Sequence, residues 1–349
     1  MKVCFIIPSL TGGGAERVVA NLANKMDELG HEVKILMTAS SDVEYRLNQG
    51  IVLEQITERT QGSIYKRLQR IFLLRRYFKE HIDTAYIAMP TETNMFAVLA
   101  AIGLHVNLII SERNDPNRDR CKKLRDLIYC LAKKMVFQTQ EARDYYSKRL
   151  QQVGKIIPNP LCNDKIEIYK GERTKRIVVV GRLEEQKNHR MLLKAYAALE
   201  EKCKKYSLHI YGVGSLEQEL KELSAQLGIS EYVHFEGFSN DIHNQIRDAA
   251  MYILSSDYEG ISNSLLEAMA MGLPVISTEC PIGGSKMLIE HMKNGILVPV
   301  GDVDAMREAM EYMVIHREEA ETMGAEATKV RERYSIDIIT QEWLAYIQE

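Results

Sequence analysis

Hydrophobic and polar positions follow two alternating patterns along the chain. Short runs rich in β-branched residues recur, and each is followed by a longer segment in which apolar residues have helical spacing. The runs cover residues 2–8, 33–37, 84–88, 106–110, 135–139, 176–180, 207–211, 232–236, 251–255 and 274–278. Strands that alternate with helices predict an α/β fold in which crossover helices join parallel strands.

The alternation is interrupted near the middle of the chain. Pro158 and Pro160 exclude a helix there, and a polar stretch, residues 162–175, precedes the next strand. A length of 349 residues agrees with two domains of roughly 100–200 residues each. The sequence therefore predicts two Rossmann-like, doubly wound domains with parallel sheets, at residues 1–165 and 171–334.

The composition is that of an ordinary folded protein. Apolar residues make up 46% and charged residues 27% of the chain, which disfavours collagen-like, disordered and coiled-coil structures. The most apolar stretch, residues 95–110, is shorter than the ~20 residues that cross a bilayer. The apolar run at residues 3–8 is too short for the core of a signal peptide, so we expect a cytoplasmic protein. The six cysteines include no Cys-x-x-Cys pair, so they indicate neither a zinc site nor a disulfide framework.

Charge is divided unequally between the two halves. Residues 1–170 contain 26 Lys and Arg against 19 Asp and Glu, whereas the rest contains 19 against 29. The basic half suggests an anionic partner such as a membrane surface, a phosphorylated substrate or nucleic acid, and a chance distribution is the alternative. Nucleic acid is disfavoured because the basic residues lack interleaved aromatic residues and no binding motif is present.

Both predicted domains open with a strand that runs into glycine. Gly12, Gly13 and Gly14 follow the first strand of one domain, and Gly181 follows the first strand of the other. In doubly wound sheets, ligands bind where the carboxyl ends of strands meet helix N-termini. Two such domains facing each other would form one deep cleft, and we expect the active site there.

Two cations, Arg182 and Lys187, flank the turn that follows strand 176–180 and leads into a helix near Asn188. The free N–H groups of a first helical turn favour an anion. A planar guanidinium fork together with a mobile ammonium suits a diphosphate. The alternative is that both cations are solvated or pair with Glu184 and Glu185.

Two carboxylates follow strand 251–255. Ser262 or Asn263 is predicted to cap a helix, which places Glu259 in the preceding loop and Glu267 about one turn into the helix. Glu267 could accept hydrogen bonds from both hydroxyls of a ribose, and Glu259, beside Gly260, could approach a sugar ring. The alternative is that Glu267 is an ordinary surface residue of the helix.

Together these motifs resemble family 4 of the retaining glycosyltransferases, which have the GT-B fold. The motifs that carry the resemblance are Glu259-x7-Glu267, Gly181-Arg182 with Lys187, Tyr211-Gly212-Val213-Gly214, Gly237-Phe238 and Asn294-Gly295-Ile296-Leu297-Val298. Two further segments resemble bacterial capsular and exopolysaccharide enzymes, namely Gly13-Gly14-Ala15-Glu16-Arg17 and Ser111-Glu112-Arg113-Asn114-Asp115-Pro116.

The resemblance implies that the second domain binds a nucleoside-diphosphate sugar and the first domain binds the acceptor. The implied donor-binding residues are Gly13, Gly14, Gly181, Arg182, Lys187, Gly212, Gly237, Phe238, Ser262, Asn263, Ser264 and Glu267. The implied acceptor-side residues are Glu112, Arg113 and Asn94. The last helix, residues 335–349, would cross back onto the first domain, with Trp343 either anchoring that return or packing within the second domain. Ile261 and Met287 depart from the family's pattern, which leaves the donor sugar open.

Retention of configuration requires either two inversions through a covalent intermediate or same-face attack in which the departing diphosphate takes the acceptor's proton. We favour same-face transfer, because the family counterpart of Glu259 resembles a sugar-positioning group more than a nucleophile. Glu259, Arg182 and Lys187 are therefore the predicted catalytic residues. No metal or cofactor is expected, since Asp302 and Asp304 have the Asp-x-Asp spacing of metal sites but stand where Asp302 would cap a helix.

The predicted reaction moves a sugar, with a UDP-sugar as the default donor, to a lipid-linked saccharide in the synthesis of a bacterial surface polysaccharide.

Residues 64–80 are predicted to form a basic helix, and a second basic cluster covers residues 118–125 with Lys133 and Lys134. Such segments can bind the anionic inner face of the cell membrane, at ~1 kcal/mol per basic residue; an ordinary core helix is the alternative. The alternative functions are a sugar-nucleotide epimerase of the same fold and a non-catalytic sugar-nucleotide-binding partner protein.

Overall fold

The computed structural model describes residues 1–56, 64–119, 121–161, 166–201 and 203–349, and only the backbone of residues 64 and 65. The chain divides into two compact units. Unit 1 comprises Met1–Cys162 with Tyr334–Glu349, and unit 2 comprises Asn163–Arg333. Residues 162–165 of the predicted polar stretch and Arg120 of the predicted basic cluster lie outside the described residues. Among the described helices, none is both long enough and apolar enough to cross a bilayer.

Unit 1 is built on a parallel sheet of seven strands. The strands are β1 (Lys2–Ile7), β2 (Glu32–Met37), β3 (Val52–Gln55), β4 (Ala85–Ala88), β5 (Asn107–Ser111), β6 (Lys134–Phe137) and β7 (Gly154–Ile156). Their order in the sheet is β3-β2-β1-β4-β5-β6-β7. The central strand β1 is fully buried from residue 3 to residue 7, as expected where helices cover both faces of a parallel sheet.

Six helices follow these strands along the chain. They are α1 (Gly14–Glu28), α2 (Ile64–Glu80), α3 (Thr91–Ala101), α4 (Lys122–Tyr129), α5 (Gln140–Tyr145) and α6 (Lys148–Gln152), with a short 3-10 turn at Pro116–Arg118. Helix α3 packs against both α2 and α4, so these three helices form one layer. The predicted helix at residues 64–80 is confirmed.

Unit 2 repeats the architecture with six parallel strands. The strands are β8 (Arg176–Val180), β9 (Ser207–Tyr211), β10 (Val233–Gly237), β11 (Met251–Leu254), β12 (Val275–Thr278) and β13 (Ile296–Val298). Their order is β10-β9-β8-β11-β12-β13. The helices are α7 (His189–Ala197), α8 (Glu217–Gln226), α9 (Ile242–Ile246), α10 (Asn263–Ala270), α11 (Gly284–Leu288), α12 (Val303–Ile315), α13 (Arg317–Ala327) and α14 (Val330–Tyr334), and a 3-10 turn at Glu185–Lys187 precedes α7.

The predicted α/β fold with two doubly wound parallel sheets is confirmed. Every strand predicted from the hydrophobic pattern is present, with ends that differ by at most two residues. Strands β3, β7 and β13 were not predicted. Each lies at an edge of its sheet, has only three or four residues and is not buried at every position. In β3, moreover, Val52 and Leu53 are exposed.

The last helix, α15 (Ile336–Gln348), packs in unit 1. Ser335 caps it by accepting a hydrogen bond from the backbone N–H of Ile338 (3.3 Å). Trp343 is fully buried in the same apolar cluster as Phe5 and Met26. The alternative expectation, that Trp343 packs within the second domain, is therefore wrong.

The Asp-x-Asp segment forms a helix start. Asp302 Oδ1 accepts a hydrogen bond from the backbone N–H of Ala305 (2.9 Å) at the first turn of α12. Asp304 lies in that turn and pairs with Arg307 (3.7 Å). The predicted cap is confirmed. Across the described ranges, no group of three or more His, Cys, Asp or Glu side chains is arranged to hold a metal ion.

Candidate active site

The strand order of unit 2 reverses between β8 and β11. From β8 the chain proceeds to β9 on one side, whereas β11 is followed by β12 on the other side. In doubly wound folds the crevice outside the carboxyl ends of two such strands is the usual ligand site. The loops that leave β8 and β11 at this edge carry Arg182, Lys187 and Glu259.

Hydrogen bonds join these two loops. The Asn188 side-chain amide donates to Asp257 Oδ1 (2.6 Å). The backbone N–H of Asp257 donates to Gln186 O (2.9 Å), and the Gln186 side chain donates to Tyr258 O (2.9 Å). Asn188 has left-handed backbone angles, and its Oδ1 also accepts from Met191 N–H (3.1 Å) at the start of α7. The loops are therefore fixed to each other and to the helix.

Lys187 and Glu259 form an ion pair between these loops. Lys187 Nζ contacts Glu259 Oε1, and the two side chains are only 14% and 13% exposed. Ser256 Oγ donates a hydrogen bond to the same carboxylate oxygen (3.2 Å). The structure thus brings a cation and a carboxylate, both predicted as catalytic, into direct contact at the point where the strand order reverses.

Arg182 is exposed, and no hydrogen bond or ion pair of its guanidinium is found among the described residues. Among the described residues, neither Arg182 nor Lys187 forms an ion pair with Glu184 or Glu185, so that part of the alternative is wrong; the exposed Arg182 agrees with its other part, a solvated cation. Glu185 pairs with Arg190 (2.5 Å). Glu184 accepts hydrogen bonds from Ser215 N–H (3.0 Å) and Oγ (2.9 Å). Those bonds, together with the nearby charge of Arg182, lower the pKa of Glu184.

Glu267 is a buried residue of α10, so the alternative of a surface position is wrong. It is 5% exposed. Ser262 caps this helix by accepting from Leu265 N–H (3.4 Å), which confirms the predicted cap. His243 Nε2 of α9 lies 3.2 Å from Glu267 Oε2. Sequence reasoning did not identify His243, because no motif links the short helix α9 to the carboxylate.

Glu259 and Glu267 act on a common neighbour. Burial raises the pKa of the Tyr252 hydroxyl, and the charges of both carboxylates raise it further. The Tyr252 hydroxyl donates to Ser264 Oγ (2.8 Å), which in turn donates to Val180 O (3.2 Å) at the end of β8. Both carboxylates are therefore within electrostatic range of the Tyr252 hydroxyl, which Ser264 connects to the end of β8.

Glycines let the loops approach each other closely. A Cβ at Gly212, whose φ is +142°, would collide with the carbonyl of Gly181. A Cβ at Gly284 would collide with the carbonyl of Gly260, next to Glu259. Loop packing therefore explains the glycine at position 212.

Phe238, which follows β10, is 73% exposed and offers a free aromatic ring at the same edge of the sheet.

In unit 1 the glycine triplet lies between β1 and α1. Gly12 N–H donates to Glu44 Oε2 (2.7 Å), and the Tyr45 hydroxyl donates to Gly13 O (2.8 Å). Gly13 is the residue before the helix, and Gly14 is its first residue. The segment therefore presents the N-terminus of a helix of 15 residues.

Two of the predicted acceptor-side residues share a buried network. Glu112 accepts from the hydroxyls of Thr91 (2.9 Å) and Tyr129 (3.1 Å). Asn94 Nδ2 donates to the same Tyr129 oxygen (3.0 Å). Burial raises the pKa of Glu112. The Arg113 side chain leaves this network, since its Nη1 donates to Asn159 Oδ1 (2.9 Å) and its guanidinium lies over Trp343, 5.6 Å from the ring centroid.

Comparison with known proteins identifies the family to which both units belong. The profile described as Glycosyltransferase Family 4 matches residues 12–162, and the profile described as Glycosyl transferases group 1 matches residues 163–330. The solved structure of HepE from Anabaena in complex with UDP has a TM-score of 0.84 at 18% identity and covers 100% of both chains.

Two curated relatives come from Campylobacter jejuni. One is a GalNAc-alpha-(1->4)-GalNAc-alpha-(1->3)-diNAcBac-PP-undecaprenol alpha-1,4-N-acetyl-D-galactosaminyltransferase, 29% identical over 100% of this chain and 99% of its own length. The other is an N-acetylgalactosamine-N,N'-diacetylbacillosaminyl-diphospho-undecaprenol 4-alpha-N-acetylgalactosaminyltransferase, 27% identical over 90% of each chain.

Two parallel-sheet α/β units of this topology define the GT-B class of transferases. The chain belongs to family 4 of the glycosyltransferases, whose members retain the configuration of the transferred sugar. It is therefore an enzyme of sugar transfer, as the motifs around Glu259 and Glu267 predict.

Proposed function

We propose that the protein transfers a sugar from a UDP-sugar to a saccharide linked to a lipid diphosphate, as a step in the synthesis of a bacterial surface polysaccharide. The observation that supports this most directly is the placement of Lys187, Glu259 and Arg182 where the strand order of unit 2 reverses. The two Campylobacter relatives, whose names specify undecaprenyl-diphosphate acceptors, support the class of acceptor.

In this proposal unit 2 binds the donor. Arg182 and Lys187 bind the diphosphate, because one offers a fork of N–H donors and the other a compact positive charge. Glu267, oriented by His243 (3.2 Å), accepts hydrogen bonds from the ribose hydroxyls. The exposed ring of Phe238 and the backbone at Gly237 receive the base. Ser262, Asn263 and Ser264 lie at the start of α10, between the two carboxylates along the chain.

Glu259 contacts the transferred sugar rather than attacking it. Its Oε1 already accepts from Lys187 and Ser256, which reduces its strength as a nucleophile. In same-face transfer the bond between the anomeric carbon and the diphosphate oxygen breaks, and the acceptor oxygen bonds to that carbon. The acceptor's proton passes to the departing diphosphate. Arg182 and Lys187 stabilise the negative charge that develops there.

Unit 1 binds the acceptor in this proposal. Asn94 and Glu112 meet at Tyr129, at the carboxyl end of β5. Burial raises the pKa of the Glu112 carboxyl, whose oxygens accept from Thr91 and Tyr129; in this proposal the network forms part of the acceptor side. Arg113, held by Asn159, has a supporting role.

The α2–α4 layer is the proposed membrane-facing surface. It carries five exposed apolar side chains, each between 53% and 69% exposed: Leu68, Phe72, Leu124, Leu127 and Leu131. Leu68 and Phe72 are four apart on α2, and the three leucines follow i, i+3, i+7 spacing on and just after α4, so each set lies on one helix face. Both helices pack on α3, so the two sets belong to one layer of helices.

The same helices and the residues just after them also carry exposed basic side chains. Lys79, Lys122, Lys123 and Lys133 are exposed, and none of them has an ion pair among the described residues. Arg75, by contrast, serves the fold, since its Nη1 donates to the carbonyls of Ala100 (2.9 Å) and Ile102 (2.6 Å) at the end of α3. Exposed apolar side chains together with exposed ammonium groups on the same helices fit the interface of an anionic bilayer.

The decisive experiment incubates the purified protein with UDP-GalNAc, UDP-GlcNAc, UDP-glucose or UDP-galactose and a polyprenyl-diphosphate-linked saccharide. We expect one donor to give a product longer by one sugar, and Arg182→Ala to reduce its rate by about 10²–10³, the usual effect of removing a group that stabilises developing charge. Arg190→Ala removes a guanidinium that pairs with Glu185 and is the matched control. A new free sugar nucleotide formed from donor alone would indicate an epimerase instead. Nucleotide binding without turnover would indicate a non-catalytic partner.

A further inference from the structure

The ion pair between Lys187 and Glu259 has a consequence for the strength of diphosphate binding. Lys187 Nζ contacts Glu259 Oε1, and both side chains are more than four-fifths buried. An ammonium has three N–H donors, and part of its charge is compensated wherever a carboxylate contacts it in such a weakly screened position. A diphosphate that binds to Lys187 must therefore share this ammonium with Glu259.

Glu259 is held in place independently of Lys187. Ser256, which is fully buried, donates from Oγ to Glu259 Oε1 (3.2 Å). The Ser256 carbonyl accepts from Thr278 Oγ1 (2.6 Å) and from Cys280 Sγ (3.1 Å) at the end of β12. This chain of contacts fixes the carboxylate beside Lys187 from the neighbouring strand.

The loops do not depend on the ion pair for their position. Asn188 and Asp257 join them directly (2.6 Å), and Ser255 Oγ donates to the Lys187 carbonyl (2.8 Å). Neutralising Glu259 would therefore leave the Lys187 backbone in place and leave its ammonium without this carboxylate.

We propose that Glu259 weakens the binding of the nucleoside diphosphate product by competing with it for Lys187, and that Ser256 is a positioning residue for this competition. The inference rests on the proposed function, which assigns Lys187 to the diphosphate. The free diphosphate carries up to one more negative charge than the diphosphate of the sugar donor, so it interacts more strongly with an uncompensated ammonium. Recapture of Lys187 by Glu259 favours product release.

The test measures the dissociation constant and the dissociation rate of UDP, with GDP and ADP alongside, by calorimetry and stopped-flow fluorescence. We expect Glu259→Gln to bind UDP about tenfold more tightly than the wild type, with a slower off-rate. Ser256→Ala is also expected to lower the dissociation constant and the dissociation rate of UDP, by a smaller factor. Glu185→Gln removes the same charge from the loop that carries Lys187, but Glu185 pairs with Arg190, so this variant should leave UDP affinity unchanged.

A purely structural role for Glu259 predicts the opposite sign, since a damaged site binds UDP less tightly. If the wild type binds UDP and Glu259→Gln binds it equally or less tightly, the inference is wrong while the proposed function stands. If Glu259→Gln does not fold, Ser256→Ala decides, and unchanged or weaker UDP binding there overturns the inference. If the wild type binds none of the three nucleotides, the proposed function itself is wrong.

Discussion

Asn188 and Asp257 connect the two loops that carry the candidate catalytic residues. The Asn188 side chain donates to Asp257 Oδ1 (2.6 Å) and at the same time caps α7 through Met191 N–H (3.1 Å). One asparagine therefore sets where the helix begins and how far Lys187 is from Glu259. Asn188 adopts φ of +44°, a left-handed conformation that asparagine tolerates better than most residues.

Asp257→Ala should weaken donor binding without abolishing chemistry. Loss of the bond to Asn188 frees the Lys187 loop, and one hydrogen bond is worth ~1 kcal/mol, so we expect the KM for the donor to rise by about 5- to 10-fold. Asp257→Asn keeps an oxygen for the Asn188 amide and should have nearly the wild-type KM. Steady-state kinetics of both variants tests this, and equal KM values for Ala and Asn would contradict it.

His243→Ala should also raise the KM for the donor. His243 Nε2 lies 3.2 Å from the buried carboxylate of Glu267, and its removal leaves that carboxylate less well oriented toward the ribose. We expect about a tenfold loss of donor affinity, or ~1.4 kcal/mol, with a smaller change in kcat. His316→Ala, at the exposed start of α13, is the control. Titration of both variants with UDP-sugar measures the donor affinity. An unchanged affinity in His243→Ala would contradict the role of His243 in orienting Glu267.

The inner strands could be predicted from the sequence, and the candidate site residues could be proposed from it, because each rests on a local signal. Continuous apolar runs mark strands buried on both faces, and Glu259, Glu267, Arg182 and Lys187 stand next to such runs. The edge strand β13 has an apolar run of only three residues, between Gly295 and Pro299. The contacts of Lys187 with Glu259 and of His243 with Glu267 join residues 72 and 24 positions apart, and no local pattern encodes them. The contact between Lys187 and Glu259 depends on β8 and β11 being neighbours in the sheet, which the sequence does not specify.

Leu127→Glu should reduce binding to anionic vesicles. Leu127 is 69% exposed on α4, and a carboxylate there both removes an apolar contact and repels anionic headgroups. We expect at least a tenfold lower partition coefficient on vesicles of phosphatidylglycerol and phosphatidylcholine. Ile315→Glu, at the end of α12 in unit 2 and 52% exposed, introduces the same charge and should bind as the wild type does. Vesicle sedimentation at low and high salt tests this, and equal binding of wild type to neutral vesicles would exclude an electrostatic contribution.

His189 makes the stability of the enzyme depend on pH. Burial lowers the pKa of His189 to about 4, against ~6.5 for an unfolded histidine. Between these values the unfolded chain binds the proton and the folded chain does not, so the free energy of unfolding is largest above pH ~6.5 and falls as the pH drops toward about 4, by at most ~1.4 kcal/mol per pH unit for this group. His189→Gln should lose this part of the slope, because glutamine does not titrate. Urea unfolding of both proteins between pH 4.5 and 7.5 measures how the free energy of unfolding changes with pH. Parallel pH profiles of wild type and variant would show that His189 is not the source of this change.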